Sequence, residues 1–403
     1  MKWRIGYWFM YGYLKMPTPV EKPSVLIGIR RLMIALALAS ALHAPARADG
    51  PADCLVNDLS IDRFKASIYD LDEFETRYWR RPHNALAEQY LYDALVSYGY
   101  TNVTFDEFTY NDVVKHNVYA TRVGDTNPSA MYILGAHFDS YNIHGDFAHC
   151  PGADDDASGV AAVLEAARVF AHARTDVSVR FVLWNAEEVG LVGSNSYVDR
   201  RGPLQGTPEE PAWLGMMQLD MILYDHGPGP IPDADVEYQA LHDYNGQAGP
   251  LAEFVAGAME RYGTMPAEVG DNMTNTDSVP FQNHTAAISI RENRRIGEIG
   301  GGSNPHWHEN TDRYETFSDQ DYEFGFNIVK MLVGATAELS GATPLGDLDR
   351  DGDVEGDDLT ALLASYGYTP GDPGYNPAAD LNADGAVNLP DLAELLGNYG
   401  CQE

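Results

Sequence analysis

The stretch GADDDASGVAA (residues 152–162) sets three carboxylates, Asp154, Asp155 and Asp156, directly before a run of small and apolar residues. The run continues as SGVAAVLEAARVFAHA, whose apolar spacing reads as a helix. Adjacent like charges resist burial, so a chain that places them at the mouth of a helix usually holds a cation there. Upstream, MYILGAHFDS (131–140) carries an apolar run over 131–134, and downstream SVRFVLWNAEE (178–188) is an apolar strand. Strand, helix and strand in that order form the repeating unit of a parallel sheet.

Working outward, 55–100 reads as helical, NVYATR (117–122) as a strand, and LGMMQLDMI (214–222) as another. Residues 251–263 read as a helix, AAISI (286–290) as a strand, and 319–340 as a long closing helix. The expected fold class is therefore α/β: a mainly parallel central sheet flanked by helices. In such sheets functional residues gather beyond the carboxyl ends of the strands. His137 and Asp139, Glu187 and Glu188, and Asp220 each follow an apolar strand in this way.

At 403 residues the chain has room for one large domain and a smaller one, and 44% apolar residues can build a sizeable core. A formal charge of −34 argues against binding a nucleic-acid backbone, which rewards lysine and arginine. Arg30 and Arg31 precede LMIALALASAL (32–42), too short to span a bilayer, and Ala46-Arg47-Ala48 follows as a cleavage pattern. Residues 1–48 are thus expected to be an export signal, with the true start at Met16 or Met33, leaving a secreted or periplasmic chain without a membrane anchor. A buried helix or a retained anchor is the alternative for the same run. Export permits a disulfide, and of Cys54, Cys150 and Cys401 the pair Cys54–Cys150 is preferred, as a staple beside the aspartate cluster.

Composition changes after Gly341. Residues 342–403 carry thirteen acidic residues against one arginine and contain an internal repeat. DLDRDGDVEGDDLTALLASYG (347–367) recurs 33 residues later as DLNADGAVNLPDLAELLGNYG (380–400). Oxygen side chains stand at loop positions 1, 3, 5 and 12, with glycine at 6. They are Asp347, Asp349, Asp351 and Asp358, then Asp380, Asn382, Asp384 and Asp391; Asp353 joins the first set. Calcium takes six to eight such oxygens, and the glycine permits the sharp turn. Aspartate at position 12 ahead of an apolar helix resembles the dockerin-type repeat. That resemblance implies two calcium ions and a cohesin-like or cell-surface partner; a solvated acidic tail without ions is the bland alternative. The expected division is export signal 1–48, catalytic domain 49–341 and calcium-loop tail 342–403.

Singly, His137-x-Asp139, Glu187-Glu188, Asp220 and the polar loop NPHWHENTD (304–312) are weak signals. In this order they resemble the secreted bacterial leucyl-aminopeptidase family, exopeptidases with two zinc ions, over roughly residues 70 to 340. The resemblance implies His137, Asp155, Glu188, Asp220 and His308 as zinc ligands, with Asp155 bridging and His308 preferred to His306 because Asp312 follows it. It also implies that Asp139 orients His137 and that Glu187 is the general base toward the attacking water. The substrates would be peptides with a free N-terminus.

The chain departs from that family where a tyrosine would stabilise the oxyanion: Trp307 and Met273 occupy those places, and the nearby segment reads Thr276-Asp277-Ser278. Three other readings stay open. A glutaminyl-cyclase-like transferase would use one zinc. A carboxypeptidase of the same fold would need a basic pocket, for which Arg291, Arg294 and Arg295 are candidates. A calcium-dependent surface-binding protein would carry a dead enzyme domain.

Overall fold

The computed structural model describes residues 50–224, 232–292 and 304–401. The expected export segment over 1–48, and Arg294 and Arg295, lie outside the described residues. The helical reading of 55–100 resolves into three pieces: α1 (Pro51–Asn57), α2 (Ile61–Asp72) and α3 (Pro82–Ser97). Ser60 starts α2 by accepting a hydrogen bond from the Arg63 amide at 3.3 Å, and Pro82 opens α3, where its missing N–H costs nothing.

The sheet strands are β1 (Thr104–Tyr110), β2 (Val113–Arg122), β3 (Asn127–His137), β5 (Val177–Trp184), β6 (Ala212–Leu219), β7 (Ala234–Glu237), β8 (Ala267–Gly270) and β9 (Ala287–Arg291); β4 (Ala173–Arg174) stands apart. Their spatial order is β1-β2-β5-β3-β6-β9-β7-β8. The centre is parallel, with β3 between β5 and β6 and β9 beside β6. The β1–β2 hairpin pairs antiparallel onto β5, and β7 pairs antiparallel with β9. The expected fold class holds. The sequence reading missed β1, whose charged, alternating TFDEFTY suits an edge, and the four-residue β7 and β8, too short for a periodicity to register.

Helix α4 (Ala157–Ala171) buries every residue from Ala157 to Ala167. Its small side chains allow close approach to α2 on one side and β3 on the other, which fixes the aspartate cluster at its entrance. Helices α5 (Val192–Arg201), α6 (Ala248–Tyr262) and α7 (Asp319–Ser340) complete the layers. The α7 boundaries match the sequence reading because strong local signals mark both ends. Ser318 and Asp321 form a reciprocal cap, and Gly341 at φ 64° stops the helix.

Beyond Gly341, β10 (Thr343–Pro344) pairs antiparallel with β4, and α8 (Gly356–Ser365) and α9 (Leu389–Gly397) follow. These last helices enclose a separate apolar cluster of Val354, Leu362, Ala379, Leu381, Val387 and Leu395. The disulfide joins Cys54 to Cys401, with Cα atoms 5.6 Å apart, which corrects the expected Cys54–Cys150 pairing. Cys54 lies on α1, which packs against α7 and beside β10, so it faces the tail. Cys150 is a buried free thiol whose Sγ lies 2.9 Å from Thr76 Oγ1. Further bonds tie the tail down: His172 Nδ1 to Glu394 Oε1 at 2.7 Å, and Arg174 Nη2 donating to the Ala378 carbonyl at 2.6 Å. Among the described residues no helix is long and apolar enough to cross a membrane.

Candidate metal centre

The three adjacent aspartates do three different things. Asp156 caps α4 by accepting from the Gly159 amide at 3.0 Å, and accepts from the His137 and Met221 amides at 3.1 Å each. One carboxylate thereby aligns the ends of β3 and β6, on which His137 and Asp220 stand. Asp154 accepts from the Ile222 and Leu223 amides at 3.0 and 2.9 Å and from Asn304 Nδ2 at 2.7 Å. It so ties the loop carrying His308 to the β6 end. Asp155 is left with both oxygens turned into the site.

Those two oxygens face different imidazoles. Asp155 Oδ1 lies 3.2 Å from His137 Nε2, and Asp155 Oδ2 lies 3.2 Å from His308 Nε2. Asp220 Oδ1 joins the His137 side at 3.9 Å, and Glu188 Oε2 joins the His308 side at 2.8 Å. All five expected ligand residues therefore converge, sorted into two groups that share Asp155. His306 turns away instead, with Nδ1 2.9 Å from Thr311 Oγ1.

Asp139 acts differently from the expectation. The His137 Nδ1 lies 3.1 Å from the Asp139 backbone carbonyl and 3.7 Å from its Oδ1. The carboxylate itself accepts from the Glu187 and Glu188 amides at 2.9 and 3.3 Å, so it shapes the turn that presents the two glutamates. That turn, and the neighbouring ones, run through unfavourable backbone conformations. Ala186 at φ 60°, Met221 at 60° and His308 at 57° are non-glycine residues in the left-handed region, each in or beside the site.

The electrostatics ask for cations. Burial pushes Glu187 well above the usual carboxylate range, and the charge of Glu188 adds to it. Burial, then the Asp155 charge, pushes Glu188 up to about 7. His308 is lowered by burial, yet its contacts with Asp155 and Glu188 carry it up to about 10. Burial raises Asp155, but His137 and His308 outweigh this and hold it below the ordinary range. Glu188 Oε1 is buried without a hydrogen-bond partner among the described residues, an orphan that a metal ion would satisfy. Imidazole and carboxylate donors without thiolates suit zinc in an open, reactive site.

Several residues take roles here that the sequence does not signal. Asp312, read only as a spacing marker for His308, accepts from the Asp154 and Asp155 amides at 2.8 and 3.0 Å. The buried Arg77 donates to the carbonyls of Leu71, Phe138, Pro151 and Gly152 and so holds the loop before the aspartates. Arg291 donates to Asp220 Oδ2 at 2.8 Å and lies 4.0 Å from Glu237 Oε2. It is therefore engaged, and not free to receive a substrate carboxylate. The Trp307 ring stacks on His308 at 3.9 Å, and Tyr141 meets the same imidazole edge-on at 5.2 Å. Asp277 Oδ1 accepts from Ser194 Oγ, its Oδ2 has no hydrogen-bond partner among the described residues, and burial raises it to about 7.

The tail loops share most of their bonding pattern. Asp347 accepts from the Arg350 and Gly352 amides, and Asp380 from the Asp384 and Gly385 amides. Asp358 and Asp391 reach back to the Leu348 and Leu381 amides at 2.7 Å each. Gly352 at φ 108° and Gly385 at φ 88° take the turns that no larger residue adopts comfortably. Asp347, Asp349 and Asp351 bring oxygens within 4.8 Å of one another.

Residues 117–331, more than half of the chain, match peptidase family M28, and the chain belongs to that family. Leucine aminopeptidase 1 of Emericella nidulans is 29% identical over 189 residues, 43% of this chain and 46% of that protein. The chain thus spans about half the length of this curated relative. Among solved structures, LapB of Legionella pneumophila superposes with a TM-score of 0.60 at 21% identity, covering 74% of this chain and 77% of that one. A glutaminyl cyclase of Fimbriiglobus ruber superposes at 0.55 and 18% identity, covering 70% and 96%. Likenesses at such identity speak for the fold alone.

Proposed function

We propose that the chain is a secreted zinc aminopeptidase, removing N-terminal residues from peptides. The observation that carries this reading is Asp155, whose two oxygens each face a separate imidazole–carboxylate pair. His137 and Asp220 would hold one zinc ion, His308 and Glu188 the other, and Asp155 both. When bound, the two ions supply Lewis-acid polarisation and lower the pKa of water. With two divalent ions bound, the three candidate ligand carboxylates would leave a net charge of +1 and so favour an anionic nucleophile. Glu187, which needs no place among the ligands, takes the proton of the attacking water and returns it to the leaving amine. Asp139 keeps Glu187 and Glu188 pointing to their separate tasks by fixing both their amides. Trp307 and Tyr141 wall the His308 side with aromatic surface.

Leucine aminopeptidase relatives support exopeptidase action on a free N-terminus. The glutaminyl-cyclase alternative keeps one argument, the engagement of one Asp220 oxygen by Arg291, which would suit a centre with a single zinc. Export is supported by the short apolar run before Ala46-Arg47-Ala48 and by a disulfide, which belongs in an oxidising compartment. For the tail the reading is two calcium ions, supported by the repeated Asp/Asn positions and the matched glycine turns, and a cohesin-like or surface partner.

The test is hydrolysis of a leucyl anilide and its N-acetylated form by the zinc-loaded chain. Cleavage of the free amine alone supports the aminopeptidase. Cyclisation of an N-terminal glutaminyl peptide, with neither anilide cleaved, would replace it by the transferase.

A further inference from the structure

We propose that Arg291 is a positioning residue for the metal centre: it pins one oxygen of Asp220 so that only the other faces His137. The inference rests on the two-zinc reading. Arg291 ends β9, is 5% exposed, and its Nη2 donates both to Asp220 Oδ2 at 2.8 Å and to the Asn275 carbonyl at 3.0 Å. Its Nη1 lies 4.0 Å from Glu237 Oε2, at the end of β7. One guanidinium therefore braces the ends of β6 and β7 and the loop that carries Thr276 and Asp277.

The consequence falls on one metal position and not the other. Asp155 has both oxygens in the centre, and Glu188 offers Oε2 beside His308, with Oε1 lacking a hydrogen-bond partner among the described residues. Among the described residues, Asp220 alone of the three candidate ligand carboxylates has an arginine on its outer oxygen. A carboxylate held in this way cannot rotate to present both oxygens, so Asp220 gives a single donor atom beside His137. The planar fork of arginine reaches several acceptors at once, whereas a lysine ammonium at this site is a shorter point charge. Supports of this kind usually matter to metal affinity by roughly 10–100-fold.

The test is stepwise zinc binding to the full-length apo chain, measured against a competing zinc indicator, for the parent, Arg291→Lys, Arg291→Met, Asp220→Asn and the double variant Arg291→Met with Asp220→Asn. Arg291→Met should weaken one of two binding steps by roughly tenfold or more and leave the other unchanged. Asp220→Asn should weaken the same step, the double variant should be little worse than either single, and Arg291→Lys should fall between. If Arg291→Met does not fold, Arg291→Lys carries the test through the same selective weakening. Two unaltered steps, equal weakening of both, or additive effects of Arg291→Met and Asp220→Asn would overturn the proposal. A parent chain that takes up one zinc or none would instead overturn the two-zinc reading on which it stands.

Discussion

Glu187 and Glu188 are neighbours with identical side chains, and the structure gives them opposite fates. Glu188 Oε2 is 2.8 Å from His308 Nε2, inside the ligand group, while Glu187 stands outside both groups. Glutamine keeps the size of either side chain, and the Asp139 bonds go to backbone amides, so neither Glu187→Gln nor Glu188→Gln should disturb the turn. Glu187→Gln cannot accept a proton, so kcat should fall by roughly 10²–10⁴, the range for losing a general base. At about 1.36 kcal/mol per decade this is about 2.7–5.4 kcal/mol of barrier, with both zinc ions retained. Glu188→Gln removes an anionic donor from the His308 position alone, so one zinc should bind more weakly and added zinc should restore part of the activity. Steady-state kinetics on a leucyl anilide, paired with zinc analysis after gel filtration, separates the two. If Glu187→Gln loses zinc while Glu188→Gln keeps both ions and stays inactive, the roles are reversed; if both retain parental turnover, the chemistry lies elsewhere.

Other outcomes follow from the same geometry. Cys401→Ser opens the only covalent tie between the tail and α1 among the described residues and should lower unfolding free energy by about 2–4 kcal/mol in a urea titration; an unchanged midpoint would contradict the brace. Arg77→Met strands four buried carbonyls and should cost about 3 kcal/mol or more by the same titration. Burial and then neighbouring charge raise Asp347 from 3.8 to about 6, so its contribution to tail stability is full below pH 3.8 and lost as pH rises through about 6. Without calcium the tail should therefore be cut by protease more readily at pH 7 than at pH 4, and calcium should restore resistance at pH 7. Equal cutting at both pH values without calcium would refute this.

Much of the centre was legible because its residues follow strands with strong apolar runs. FVLW delivers Glu187 and Glu188, and MMQL delivers Asp220, so topology alone brings them to one edge of the sheet. The separate jobs of Asp154 and Asp156 were not legible, since three identical neighbours differ only in which backbone amides the folded loops bring to them. The role of Arg291 is hidden in the sequence because its partners, Asp220 and Glu237, are 71 and 54 residues distant and meet it only across strand ends. The disulfide was misassigned for a similar reason. Proximity in sequence to the aspartate cluster suggested Cys150, whereas the docking of α1 beside the tail brings Cys401 to Cys54 across 347 residues. The short strands β7 and β8 carry too few residues for any period to appear.

The central claim is that one carboxylate serves two zinc ions, and zinc content of Asp155→Asn beside Asp220→Asn tests it most directly. Asparagine keeps the shape but removes the charge that both imidazoles face. Asp155→Asn should weaken both binding steps together, leaving less than one zinc ion per chain after gel filtration in dilute chelator. Asp220→Asn should retain the ion held by His308 and Glu188. Two zinc ions retained by Asp155→Asn, or loss confined to one step, would contradict the shared carboxylate.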